Sequence, residues 1–140
     1  FHKIGVVQFY HEFISTVNSG LFMRDCDFSV MIDLNNGLYY ITYENGEHKS
    51  YGKDIEAHDW NMRVNYFVEK YLAEECVEDY KKNMSIEALR KLYESDTDKN
   101  EIVFDYYFDG EKITQKAVCY FVEYNGNPVV CVKYYDDYKA

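Results

Sequence analysis

The spacing of apolar residues changes repeatedly along this chain, and each change marks an element. In residues 4–18, Val6, Tyr10, Phe13, Ile14 and Val17 recur at helical spacing, predicting one amphipathic helix ended by Asn18-Ser19-Gly20. From Phe28 the period falls to two. Phe28, Val30, Ile32 and Leu34 alternate with smaller or polar residues, Asn36-Gly37 supplies a reversal, and Tyr39, Ile41 and Tyr43 resume the alternation, predicting a hairpin. Asn45-Gly46 marks a further turn, and the polar stretch to His58 predicts a loop or a short helical turn. Helical period returns at Asp59, a suitable N-cap, with Trp60, Val64, Phe67, Val68, Tyr71 and Leu72 on one stripe. Cys76, Val77, Tyr80 and Met84 extend the stripe after a break near Ala73. Ser85 then caps a short helix that turns Ile86, Leu89 and Tyr93 inward.

Beyond the polar run ESDTDKN the period is two again. Ile102, Phe104, Tyr106 and Phe108 share a face, Asp109-Gly110 turns the chain, and KITQKAVCYFVEY leads through Asn125-Gly126-Asn127 to PVVCVKYYD. Three strands joined by tight turns predict an antiparallel meander. Pro128, the sole proline, stands at a strand start, where a missing N–H is tolerated. The order α–ββ–ααα–βββ defines an α+β class, with a flanking helix in residues 1–24 and one domain in residues 25–140.

This order resembles a PAS domain, over roughly Asp25 to Asp137. DCDFSVMIDLNNGLYYITYE resembles the opening hairpin of PAS-like domains in bacterial signalling proteins, and FDYYFDGEKITQKAVCYFVEYNGNPVVCVKYYDD is similar to their last three strands. Asp136 lies where many PAS domains carry an aspartate opening the output linker, although the usual Asp-Ile-Thr continuation is absent. The resemblance implies a five-stranded antiparallel sheet with helices between its second and third strands. It also implies a non-catalytic sensory or dimerisation role, upstream of a GGDEF diguanylate cyclase or a histidine kinase. The leading helix resembles the flanking helix that often pairs such domains, which makes Val6, Tyr10, Phe13, Ile14 and Val17 the expected homodimer contacts. Phe1 in place of Met suggests a piece of a longer protein.

Composition narrows the partners. The chain has 140 residues, 47% apolar and 19% aromatic, with 16 Tyr and 9 Phe, enough for a core without disulfides or metal. Fifteen Lys and Arg against 25 Asp and Glu give a net charge of -10, which disfavours nucleic acid and anionic membrane surfaces. Residues 1–24 carry just Lys3, Glu12 and Arg24, so the acidity belongs to the rest. No apolar run approaches the ~20 residues of a membrane span. Cys26, Cys76, Cys119 and Cys131 have no CxxC spacing, which suggests reduced thiols and a cytoplasmic setting.

Motifs for catalysis and cofactors are weak. AEECVEDY around Cys76 does not match the reactive-cysteine motif of flavin photoreceptors, and acidic neighbours raise a thiol pKa. His58 is the one histidine placed for haem, and its reading as a histidine beside a helix start is simpler. Asp96-Thr97-Asp98-Lys99-Asn100 imitates a calcium loop, but Glu101 replaces the sixth-position Gly and Tyr107 the twelfth-position Glu. No cofactor is expected. Alternation instead collects Tyr39, Ile41, Phe104, Tyr106, Cys119, Phe121, Val130 and Val132 on one sheet face, opposite Trp60 of the helical stripe. That lining suits an unidentified small organic ligand, or it fills the core. The opposite face, with Tyr107, Tyr120 and Tyr124, suits the leading helix. The alternative functions are a small enzyme of ketosteroid-isomerase type with a buried carboxylate base, or an interaction domain with a filled pocket. The early hairpin argues against the enzyme, whose fold begins with helices.

Overall fold

The computed structural model describes residues 25–44, 59–124 and 126–136. Within them lie five strands, β1 (Phe28–Asp33), β2 (Leu38–Glu44), β3 (Lys99–Phe108), β4 (Glu111–Tyr124) and β5 (Asn127–Tyr135). Three α-helices fall between β2 and β3: α1 (Trp60–Lys70), α2 (Val77–Met84) and α3 (Ile86–Glu94). The strands form one antiparallel sheet in the order β2-β1-β5-β4-β3, so the last strand lies at its centre. The class is α+β with an open five-stranded sheet. The expected leading helix, with Val6, Tyr10, Phe13, Ile14 and Val17, lies outside the described residues.

Local chemistry accounts for most element ends. Asp59 is extended, and its side chain accepts from the Met62 N–H at 2.9 Å, starting α1. After Lys70 the chain runs beside the edge of β3, where Tyr107 N–H donates to the Tyr71 carbonyl and Ala73 N–H to that of Asp105. This is the break in the helical stripe. Ser85 ends α2 and caps α3, its hydroxyl accepting from Ala88 N–H at 3.2 Å. Asp109 and Gly110 both take positive φ, 54° and 79°, which joins β3 to β4 through the two-residue turn whose twist suits a hairpin. The β1–β2 connection is longer than Asn36-Gly37 alone. Asp33 pairs with Leu38, and Gly37 N–H closes on the Asp33 carbonyl at 2.8 Å.

The helices cover one face of the sheet. Trp60, Val64 and Phe67 of α1, Tyr80 and Met84 of α2, and Ile86 and Leu89 of α3 pack against Phe28, Val30, Ile32, Ile102, Phe104, Tyr106, Cys119, Val130 and Val132. No helix among the described residues is long and apolar enough to cross a membrane.

Candidate functional site

The predicted lining residues divide by position. Tyr39, Trp60, Phe104, Tyr106, Cys119, Phe121 and Val130 belong to one buried cluster between helices and sheet, none of them more than 8% exposed. Ile41 does not join it. It pairs with Val30 on edge strand β2, beside a register shift at Ser29/Val30, and is 40% exposed. The clustered side chains touch one another closely. Tyr39 meets Trp60 edge-on at 5.4 Å, Phe67 stands 5.7 and 5.5 Å from Phe104 and Tyr106, and Tyr80 meets Phe104 at 4.9 Å. These spacings are those of aromatic rings in direct contact. An interior guest would therefore have to displace side chains.

Arg63 lies within this core at 1% exposure. Its guanidinium carbon stands 5.1 Å from the Phe28 ring, 5.2 Å from Tyr39 and 5.9 Å from Trp60, and Nη1 donates to the Tyr39 hydroxyl at 3.4 Å. A guanidinium is weakly hydrated and is attracted by π faces, so an aromatic box offsets part of its desolvation. Sequence reasoning missed it. The available signal was its position, since Arg63 is three residues after Trp60 and next to Val64, inside the buried stripe.

The exit of β5 forms a second polar group. Asp136 Oδ1 accepts from the Tyr106 hydroxyl at 3.2 Å and from the Gln115 side-chain amide, and its backbone N–H donates to Asp27 Oδ2 at 2.8 Å. Gln115 is fully buried and Tyr106 is 1% exposed. Residues of β3 and β4 thus hold the residue through which the chain leaves the sheet. Because Tyr106 also packs on Phe67 of α1, this exit is joined directly to the helix–sheet interface.

Open grooves occur elsewhere, at the far end of α3. Leu34, Asn35, Arg90, Tyr93, Glu94 and Pro128 border one of about 360 Å³. A neighbour of about 430 Å³ shares Tyr93 and Glu94 and extends to Asp98, Phe121 and Glu123. Of the predicted pocket residues, Phe121 borders this second groove. Desolvation, with the charge of Glu123 and a hydrogen bond to it, raises the Tyr93 pKa.

Burial disfavours the thiolate at Cys26, Cys119 and Cys131. Burial pushes Cys119 up to about 12 and Cys131 higher still, and burial also raises Cys26. Cys76 accepts from the Asp105 N–H at 3.5 Å. His58 and the other three histidines lie outside the described residues. The calcium-loop lookalike is a helix-to-strand turn, because β3 begins at Lys99 and contains Tyr107. The described residues contain no group of three or more His, Cys, Asp or Glu able to hold a metal ion. Compared with known proteins, the chain matches no protein-family model, no curated protein and no solved structure.

Proposed function

We propose that this chain is a PAS-like sensory or dimerisation module without catalysis of its own, which couples binding of a ligand or partner to a following effector of diguanylate cyclase or histidine kinase type. The order ββ–ααα–βββ in one antiparallel sheet supports the reading, and the tie at Asp136 carries it. A movement of α1 against β3 displaces Tyr106, and Tyr106 holds the exit of β5. The input must favour one arrangement over the other, because only differential affinity shifts such an equilibrium. The tight packing around Phe67 favours an input at the surface over a guest in the core. Asp33, the one fully buried carboxylate among the described residues, lies on the sheet face away from the helices, which favours binding over carboxylate-base catalysis.

The test combines sedimentation, a thermal-shift screen of small organic compounds, and hydrogen exchange. Self-association or a bound compound that changes exchange at both α1 and residues 134–136 supports the proposal. A monomer that binds nothing in the screen, or a binder that leaves residues 134–136 unchanged, rejects it.

A further inference from the structure

Two open grooves meet at the end of α3, and the charges around them are sorted by sign. Arg90, Tyr93 and Glu94 stand at i, i+3 and i+4 and so share one face of this helix. Arg90 borders the first groove with Leu34 and Pro128. The second is bordered by Glu94, Asp96, Asp98 and Glu123, and by no Lys or Arg. Tyr93 and Glu94 border both, which makes the two continuous. Their volumes, about 360 and 430 Å³, each fall within the ~300–1,000 Å³ of small-molecule sites.

The cationic end is held in place. Arg90 Nε donates to the Leu34 carbonyl at 2.8 Å, and Leu34 N–H donates to the Pro128 carbonyl at 3.0 Å, so α3 is tied to the end of β1 and the start of β5. Neither carboxylate one turn away on α3 neutralises the guanidinium. Glu87 is engaged by Asn61, whose amide donates to both its oxygens at 3.2 Å. Among the described residues, no hydrogen bond or ion pair reaches the terminal nitrogens of Arg90, from Glu94 or any other group. They form a fork suited to a carboxylate, which a guanidinium binds through two parallel bonds.

The anionic end follows from the way α3 stops. Thr97 N–H donates to the Leu92 carbonyl at 3.1 Å and Asp96 takes a φ of 60°, folding the chain back around the helix terminus. Asp96 and Asp98 thereby join Glu94 at the negative end of the helix dipole, an arrangement that favours a cation. A metal ion does not fit it, because the described residues contain no group of three or more carboxylates able to hold one. An extended organic cation spans such spread charges.

We propose that this double groove binds a basic amino acid, with its carboxylate on Arg90, its α-ammonium on Glu94 between the two lobes, and its side-chain cation beside Asp98 and Glu123. One molecule then answers both signs of charge, as neither a simple anion nor a polyamine does. The inference concerns binding at this groove and stands apart from the sensory reading. A ligand that binds here and leaves exchange at residues 134–136 unchanged keeps this inference and rejects that one.

The intact chain is titrated with L-arginine at low salt while backbone amide NMR shifts are followed. The expected result is a saturable shift confined to residues 34–35, 90–98 and 121–123. Agmatine, which lacks the carboxylate, and L-citrulline, which lacks the side-chain charge, should each bind about tenfold more weakly or worse. Arg90→Gln should abolish the preference for arginine over agmatine, and Asp98→Asn/Glu123→Gln the preference over citrulline. Each variant is compared with itself on two ligands, so a loss of stability does not imitate the result. Should Arg90→Gln fail to fold without its Leu34 bond, the second variant decides. No saturable shift, shifts centred elsewhere, or agmatine binding as tightly as arginine overturns the proposal. N-acetyl-L-arginine, which lacks the α-ammonium, should also bind more weakly; equal binding rejects the free amino acid in favour of a peptide ending in a basic residue.

Discussion

Replacing Trp60 by Phe removes one hydrogen bond and a few ring atoms from the point where three helices meet. The indole Nε1–H donates to the Met84 carbonyl at 2.6 Å, and both residues are fully buried. Met84 is the last residue of α2, so its carbonyl is among those with no partner inside the helix. Trp60 thereby caps α2 from the first residue of α1, next to the Ser85 that starts α3. In the Trp60→Phe variant the carbonyl stays buried without that donor, which costs about 1–3 kcal/mol. The missing ring atoms add about 1 kcal/mol in lost burial and residual space. The expected loss is about 2–4 kcal/mol, or roughly 6–16 °C in Tm for a domain of this size. Trp60 is the sole tryptophan, so unfolding in urea is followed by far-UV circular dichroism instead of indole fluorescence. A loss below about 0.5 kcal/mol with unchanged m would refute the capping argument.

Ser85→Ala removes the cap of α3 and should lower stability by about 1 kcal/mol in the same urea assay; no change would mean the Ala88 N–H is satisfied otherwise. Asp33 has a pKa raised by burial, only partly offset by backbone N–H groups of Asn35 and Asn36. A raised native pKa means that its favourable contribution is present at low pH and is lost as pH rises above its ordinary 3.8. Asp33→Asn should therefore gain on the wild type as pH increases from 3 to 7, and a constant difference across that range counts against the burial argument. Tyr106→Phe deletes the hydroxyl bond to Asp136, worth about 1 kcal/mol, so amide exchange at residues 134–136 should quicken about fivefold while β2 is unchanged. Equal acceleration across the sheet would mean general destabilisation instead of a released exit.

Much of the fold was legible because its signals are local. Asp59 and Ser85 were readable as caps because a cap is a bond across two or three residues. Asp109-Gly110 was readable as a tight turn because both positions need positive φ. The pocket candidates were legible as a face but not as a boundary. Ile41 alternates correctly with Tyr39, yet a register shift at Ser29/Val30 and an edge position leave it exposed. Arg63 was hidden because its charge argues for solvent, whereas the Phe28 and Tyr39 rings that face its guanidinium come from strands distant along the chain.

Among the described residues, the sequence by itself determined the elements, their order and an apolar face for each, since period, caps and turn residues act over a few neighbouring positions. Tertiary structure decided what lies beside what. It placed β5 between β1 and β4, buried both faces of β1 and β5, and brought Tyr106 of β3 and Gln115 of β4 together with Asp136 at the exit of β5. These depend on pairings across as many as 109 positions, such as Asp136 with Asp27, and no local period records them.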